Sequence, residues 1–254
     1  GGQEPAALDF AQEAAQKHGL KVYAPDLFRV DELTNHKSQG FGYRSITGSM
    51  SLLDKSGRWD KFNPKNAGLI LEDVRQMVRW VAAKHPGQRV TVIGNCLTGI
   101  FPLALLNEPC VKTAVICQPA LPLKRTVNVF IGDQAKGLRQ TLGISDAELH
   151  SAINALKQDK TKRLIGLHYT DDPLGPYEKF ETIYLWLGTG GVQDQFKACV
   201  LLPPGDKSRQ AWWTALGNTR ETRTMISPHP TLLSTAPEDA AWFRSQLYRL
   251  LGVR

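Results

Sequence analysis

The run Val90-Thr91-Val92-Ile93-Gly94-Asn95-Cys96-Leu97-Thr98-Gly99, continued by Ile100-Phe101-Pro102-Leu103-Ala104-Leu105-Leu106, constrains this chain more than any other stretch. The β-branched residues from Val90 to Ile93 ask for a strand buried on both faces. Apolar residues from Leu97 onward recur at helical spacing, and the change of regime falls on Cys96. A strand can pass into a helix so abruptly only through a tight, strained turn, and Gly94 and Gly99 supply the small residues that let the two elements close up. Such a turn holds its central side chain out over the end of a sheet, which is the outline of a nucleophile elbow with sulfur in place of the usual hydroxyl. A helix beginning directly after Cys96 would also favour thiolate over thiol through its dipole. Thr98 stands where the second glycine of G-x-nucleophile-x-G would be, with Gly99 one place later.

A chain of 254 residues can bury a sizeable core, and its length suits one large α/β domain over residues 1–254. No apolar run approaches the length needed to cross a bilayer, so the sequence predicts no membrane insertion. The net charge of +7 comes from scattered Lys and Arg residues without a basic block. That distribution argues against nucleic-acid binding and suits a small, anionic substrate, with Arg44, Arg125, Arg209 and Arg220 as candidate anchors. Cys96, Cys110, Cys117 and Cys199 show no C-x-x-C spacing, so neither a metal centre nor a disulfide framework is expected and a reducing cytoplasm is.

Along the chain, Glu4 to His18 reads as an amphipathic helix closed by Gly19, and Leu20 to Pro25 as a strand ending in a turn. Residues 31–65, rich in Gly, Ser, Asn and Lys, read as a surface excursion that carries Trp59 and Phe62. Asn66 to His85 is a helix with one apolar face. Strands follow at Val111 to Cys117, Arg163 to Tyr169 and Phe196 to Leu202, the last in the series. Helices are expected at Ser145 to Lys157, with the Ser145/Glu148 capping box, at Pro176 to Leu187 and at Pro237 to Leu251. Residues 120–160 could also form a lid, against the plainer reading of a crossover helix. Trp212 and Trp213 either line a pocket or cover the edge of the sheet. Alternating strands and helices predict an α/β fold, a mostly parallel sheet with helices on both faces, whose chemistry gathers at the carboxyl ends of the strands.

A cysteine nucleophile needs a base, and the base needs a group that fixes its tautomer. His18 and His85 fall at helix ends, His36 in the excursion, His150 within a helix and His168 within a strand. His229 follows the last predicted strand and precedes the last helix. Asp171 and Asp172 directly follow the strand ending at Tyr169, and Pro173 stiffens their loop. The chain order is therefore nucleophile, acid, histidine.

Three stretches then resemble the dienelactone hydrolase family of α/β hydrolases. They are Gly94-Asn95-Cys96-Leu97-Thr98-Gly99, His168-Tyr169-Thr170-Asp171-Asp172-Pro173-Leu174-Gly175-Pro176 and Pro228-His229-Pro230-Thr231-Leu232-Leu233. Val22-Tyr23-Ala24-Pro25-Asp26-Leu27 is similar to that family's strand and turn after the first helix. The resemblance implies an α/β-hydrolase fold and a triad of Cys96, Asp172 and His229, with Asp171 as the alternative acid. It implies an oxyanion hole formed by the backbone N–H of Leu97 and by that of Gly2 or Gln3. Family members have a further strand before the first helix, and here only Gly1-Gly2-Gln3 stands at its expected end. The activity implied is cleavage of an ester, lactone or thioester through an acyl-thiol, without metal or organic cofactor. Acyl transfer or thioester cleavage is the nearest alternative, and a non-catalytic binding or scaffold protein on the same fold is another.

Overall fold

Runs rich in Val, Ile, Leu and Cys form four of the five strands of the computed structural model, which describes residues 5–25, 68–120, 139–169, 172, 175–202, 219–222, 232–233 and 237–253. The strands are β1 (Val90–Asn95), β2 (Val111–Cys117), β3 (Arg163–Tyr169), β4 (Phe196–Leu202) and β5 (Thr219–Thr222). They make one sheet in sequence order, every neighbouring pair parallel. The register aligns Asn95 with Cys117, Cys117 with Leu167 and Tyr169 with Leu201, so the carboxyl ends of the first four strands share one rim.

Side chains alternate between two cores, as the period of a strand requires. Ala114, Ile116, Leu164, Ala198 and Val200 face α2 (Gly68–Lys84), α3 (Phe101–Leu105), α4 (Asp146–Gln158) and α5 (Glu178–Gly190). Val115, Cys117, Ile165, Leu167, Cys199 and Leu201 face α6 (Pro237–Leu251). Phe10 of α1 (Pro5–His18) packs against this second core and stacks on Tyr248 at 6.3 Å between ring centres. Arg244 joins the two helices by donating to Glu13 Oε2 at 2.8 Å, which puts α1 and α6 on the same face. On the other face, buried Glu108 accepts from Arg75 at 2.9 Å and Arg79 at 2.8 Å. Burial alone would raise its pKa, but hydrogen bonds from Arg79 and Arg75 outweigh burial and hold it low.

The strands at 111–117, 163–169 and 196–202 and the helix at 237–251 lie where the sequence places them. The Ser145 cap is also present, Ser145 Oγ accepting from Glu148 N and Ser145 N donating to Glu148 Oε2. Other expectations need correction. The helix expected from Leu97 is instead a 3-10 turn, Cys96–Thr98, with α3 beginning at Phe101 because Pro102 lacks an N–H and fits only the first turn. Residues 20–25 pair with no strand among the described residues. β1 is not buried on both faces, since Ile93 is 36% exposed on the side away from α2. A fifth strand, Thr219–Thr222, follows the expected last one, and its polar sequence carries no hydrophobic signal. Within 120–160 the described helix, Asp146–Gln158, packs as the plainer crossover reading has it, with Leu149, Ala152, Ile153 and Leu156 buried in the core. The helix expected from Pro176 starts at Glu178 after a Gly175-Pro176-Tyr177 turn. Residues 31–65 and 121–138 lie outside the described residues.

Candidate active site

Cys96 sits at φ +56°, in the left-handed region that a side chain with a Cβ occupies only at a cost of about 1–2 kcal/mol. Its neighbours hold it there. The Cys96 carbonyl accepts from Gly99 N at 2.9 Å and from Ala120 N at 2.9 Å, tying the turn to the end of β2. A Cβ on Gly94 would stand 2.1 Å from the Thr98 carbonyl oxygen and 2.7 Å from Pro102 Cδ. A Cβ on Gly99 would stand 2.6 Å from Pro119 Cα and 2.9 Å from the Cys117 carbonyl oxygen. Both glycines are therefore required by close backbone approach. Thr98, the departure from the usual pattern, braces the turn: its hydroxyl accepts from Asn95 N at 3.3 Å and donates to Asn95 O at 3.1 Å. Cys96 is half-buried at the carboxyl rim of β1.

The 3-10 turn bears on the expected electrostatics. The dipole effect is strongest within the first turn of a helix, and α3 begins only at Phe101 and has five residues. Helix-dipole activation of the thiol thus loses its structural basis. What the turn does provide is the backbone N–H of Leu97 in its first residues, where helical turns have no internal acceptor to offer.

Asp172 lies beyond the carboxyl end of β3 and is 3% exposed. Its Oδ2 lies 2.9 Å from where a Cβ on Gly175 would be, and Gln118 Nε2 lies 3.1 Å from the same point, so carboxylate and amide flank one glycine. Gln118 went unnoticed in the sequence. It is fully buried at φ +42°, directly after β2. Its amide donates to Tyr169 O at 2.9 Å and Gly175 O at 3.3 Å, and its carbonyl accepts from Tyr169 N at 2.8 Å. These bonds continue the sheet one residue past its last backbone pair and fix the root of the acid loop. The available signal was a lone glutamine closing an apolar strand.

Behind that loop, Arg139 makes a two-pronged pair with Glu178, at 2.6 and 3.0 Å. Lys179 is buried with Nζ donating to Thr141 O, and burial pulls its pKa down to about 7 against a smaller opposing effect of Glu178.

Four histidines have other surroundings. The His18 ring lies on Tyr248 at 3.9 Å between centres, His85 Nε2 is 2.6 Å from Tyr23 Oη, His150 packs edge-on to Trp186, and His168 is buried against Phe180. The structure thus brings Cys96, Leu97 and Asp172 to one rim. Gly2, Gln3, His36, Asp171 and His229 lie outside the described residues, as do Trp59, Phe62, Trp212, Trp213, Arg44, Arg125 and Arg209. Of the candidate arginine anchors, Arg220 falls on β5. Cys117 and Cys199 are buried in the second core, as expected of packing residues, and Cys110 is half-buried. Among the described residues no group of three or more His, Cys, Asp or Glu side chains could hold a metal ion. No helix among them is long and apolar enough to cross a membrane.

No family model and no curated protein matches the sequence. Solved structures do. A protein of Klebsiella pneumoniae subsp. pneumoniae MGH 78578, provisionally named a dienelactone hydrolase, matches 99% of this chain and 82% of its own at 16% identity and a TM-score of 0.53. A Pyrococcus furiosus esterase matches 72% of this chain and 61% of its own at 17% identity and a TM-score of 0.42. A monoacylglycerol lipase of Paleococcus ferrophilus matches 71% and 74% at 11% identity and a TM-score of 0.39. The first likeness, with the parallel sheet and the βα turn at Cys96, shows that the chain has the α/β-hydrolase fold.

Proposed function

We infer that this protein is a cysteine-dependent hydrolase of the dienelactone hydrolase type, cleaving a carboxylic ester, lactone or thioester. One observation carries the reading. A non-glycine residue bearing a nucleophilic side chain is held at φ +56° between two sterically obligatory glycines, at the carboxyl rim of a parallel sheet. Strain of this kind persists only where surrounding structure enforces it, and a core cysteine gains nothing from it.

In this mechanism the Cys96 thiolate attacks the substrate carbonyl carbon and the carbonyl π electrons move onto oxygen. The N–H groups of Leu97 and Gly2 hold that oxyanion, each donor contributing a few kcal/mol, on the order of 10²–10³ in rate. The tetrahedral intermediate collapses, the C–O or C–S bond to the leaving group breaks, and His229 gives the leaving group its proton. His229 then takes a proton from water, which attacks the acyl-thiol and releases the carboxylic acid and Cys96. Asp172, buried beside Gln118 at the adjoining strand end, orients His229 and stabilises its charged form. Neither metal nor organic cofactor takes part. The net charge of +7 supports a small anionic substrate, and four unbridged cysteines support a reducing cytoplasm.

The test is steady-state hydrolysis of p-nitrophenyl acetate and of an aryl lactone by the parent and by Cys96→Ala and His229→Asn. Loss of turnover by about 10³ or more in both variants, with folding intact by circular dichroism, is the expected result. Parental turnover in Cys96→Ala removes the thiol from the reaction.

A further inference from the structure

We propose that Gln118 is a positioning residue for both halves of the candidate site: its side chain stands in for β2 in the hydrogen-bond ladder with β3, and so frees the backbone of Ala120 to hold the nucleophile turn. The register pairs Cys117 with Leu167, which sets Gln118 opposite His168. In a parallel ladder the residue at that place donates its N–H to Leu167 O and accepts from Tyr169 N, and the residue two further on donates to Tyr169 O. The backbone makes the first of these bonds, Gln118 N donating to Leu167 O at 3.0 Å. The side chain supplies the partners for the other two. Tyr169 N donates to Gln118 Oε1 at 2.8 Å, and Gln118 Nε2 donates to Tyr169 O at 2.9 Å. A primary amide carries a carbonyl and an N–H on one planar carbon, as a peptide unit does, so glutamine copies the rung of a ladder. Ala120 N, the donor that a regular ladder sends to Tyr169 O, goes instead to Cys96 O at 2.9 Å.

The change of partner is built into two residues. Alternate residues of a central strand bond to opposite neighbours, so in a continued β2 Ala120 would face β3 as Gln118 does. At φ +42° Gln118 turns the chain, and Ala120 faces the end of β1. Pro119, between them, has no N–H to satisfy, and its Cα lies 2.6 Å from where a Cβ on Gly99 would be. The segment Gln118-Pro119-Ala120 thus abuts the nucleophile turn at Gly99 and at the Cys96 carbonyl. On its other side Gln118 Nε2 also donates to Gly175 O at 3.3 Å. Gln118 Cγ and Asp172 Oδ2 lie 3.0 and 2.9 Å from where a Cβ on Gly175 would be, so Gln118 and the acid share one wall of that glycine. Gln118 is 0% exposed, so no water replaces a bond lost from its amide. Ala120 N is then the donor that can return to Tyr169 O, at the expense of Cys96.

The catalytic consequence rests on the hydrolase reading; the exchange of hydrogen-bond partners does not. Gln118 bonds to backbone, so it acts through Cys96 and Asp172, whose supports lie within one three-residue segment. A displacement of about 1 Å between reacting groups lowers a rate about 10²-fold.

The parent protein tests the geometry without a variant. In isotope-labelled protein, NMR coupling through the hydrogen bond should link Ala120 N to the carbonyl carbon of Cys96; a link to the carbonyl carbon of Tyr169 in its place overturns the proposal. Gln118→Met, which keeps the length of the side chain and deletes the amide, tests the dependence. In the folded variant the Ala120–Cys96 coupling should disappear, and iodoacetamide should alkylate Cys96 at a rate changed by about fivefold or more. With p-nitrophenyl acetate, kcat should fall about 10-fold to 100-fold while KM stays within about twofold, a split that loss of stability alone does not produce. An Ala120–Cys96 coupling and a Cys96 alkylation rate that both match the parent overturn the proposal, whatever the turnover. Changes in both, with turnover that Cys96→Ala leaves untouched, sink the hydrolase reading and leave the coupling through Gln118 standing.

Discussion

Removing the side chain at residue 96 should stabilise the protein, although the same change abolishes the proposed chemistry. Cys96 lies at φ +56°, where an L-residue pays about 1–2 kcal/mol and glycine pays almost nothing. Comparing Cys96→Gly with Cys96→Ala isolates that term, because neither variant has the thiol. Against the relief stands the greater freedom of glycine in the unfolded chain, about 0.5–1 kcal/mol. Cys96→Gly should therefore be the more stable of the two by about 0.5–1 kcal/mol, a rise in Tm of roughly 1–4 °C for a chain of this size. Urea titrations of both variants at pH 7.5, with equal m-values as the check on the unfolded state, read the difference directly. At an unstrained position the order reverses. A Cys96→Gly variant less stable than Cys96→Ala by about 0.5 kcal/mol or more refutes the strained elbow.

Gly99→Ala should cost about 2–4 kcal/mol in thermal melts and lower kcat, because its methyl group meets backbone at 2.6 and 2.9 Å that cannot retreat without moving Cys96; a loss under about 0.5 kcal/mol contradicts the geometry. Gln118→Leu should destabilise by about 2–3 kcal/mol, since it orphans Tyr169 N and two carbonyls, and should depress kcat more than it raises KM; an unchanged kcat removes its role in seating Asp172. Lys179 has a folded pKa of about 7, below the unfolded value of about 10.4, so the unfolded chain binds the extra proton between those values and stability should rise as pH goes from about 7 to about 10. Lys179→Met should flatten that rise and stabilise the protein at pH 6 by roughly 2–4 kcal/mol; an unaltered pH profile in urea titrations places the charge elsewhere.

What could be read from the sequence followed the strength of local signals. Strands β2, β3 and β4 each hold a run of buried, mostly apolar residues that leads to the carboxyl end, and such runs mark the strand without help from distant residues. The Ser145 cap and the glycine at 19, φ +63°, likewise act within a few residues of themselves. β5, Thr-Arg-Glu-Thr, pairs in parallel with β4, and its polar sequence carries no hydrophobic pattern to announce it. The exposure of Ile93 depends on what lies beyond β1, so its β-branched character suggested burial that its neighbours do not provide. The elbow was legible because its glycines and cysteine fall within six residues, whereas the clamp of Gln118 on Tyr169 is a relation between segments.

The central claim is that Cys96 is the atom to which the acyl group is transferred. Mixing the protein with p-nitrophenyl acetate, quenching in acid within the burst and mapping peptides by mass spectrometry should find one acetyl thioester, on Cys96, that accumulates further in His229→Asn as water activation fails. Acetyl groups on Cys110, on surface lysines or on no residue at all, while the ester still turns over enzymatically, would contradict it.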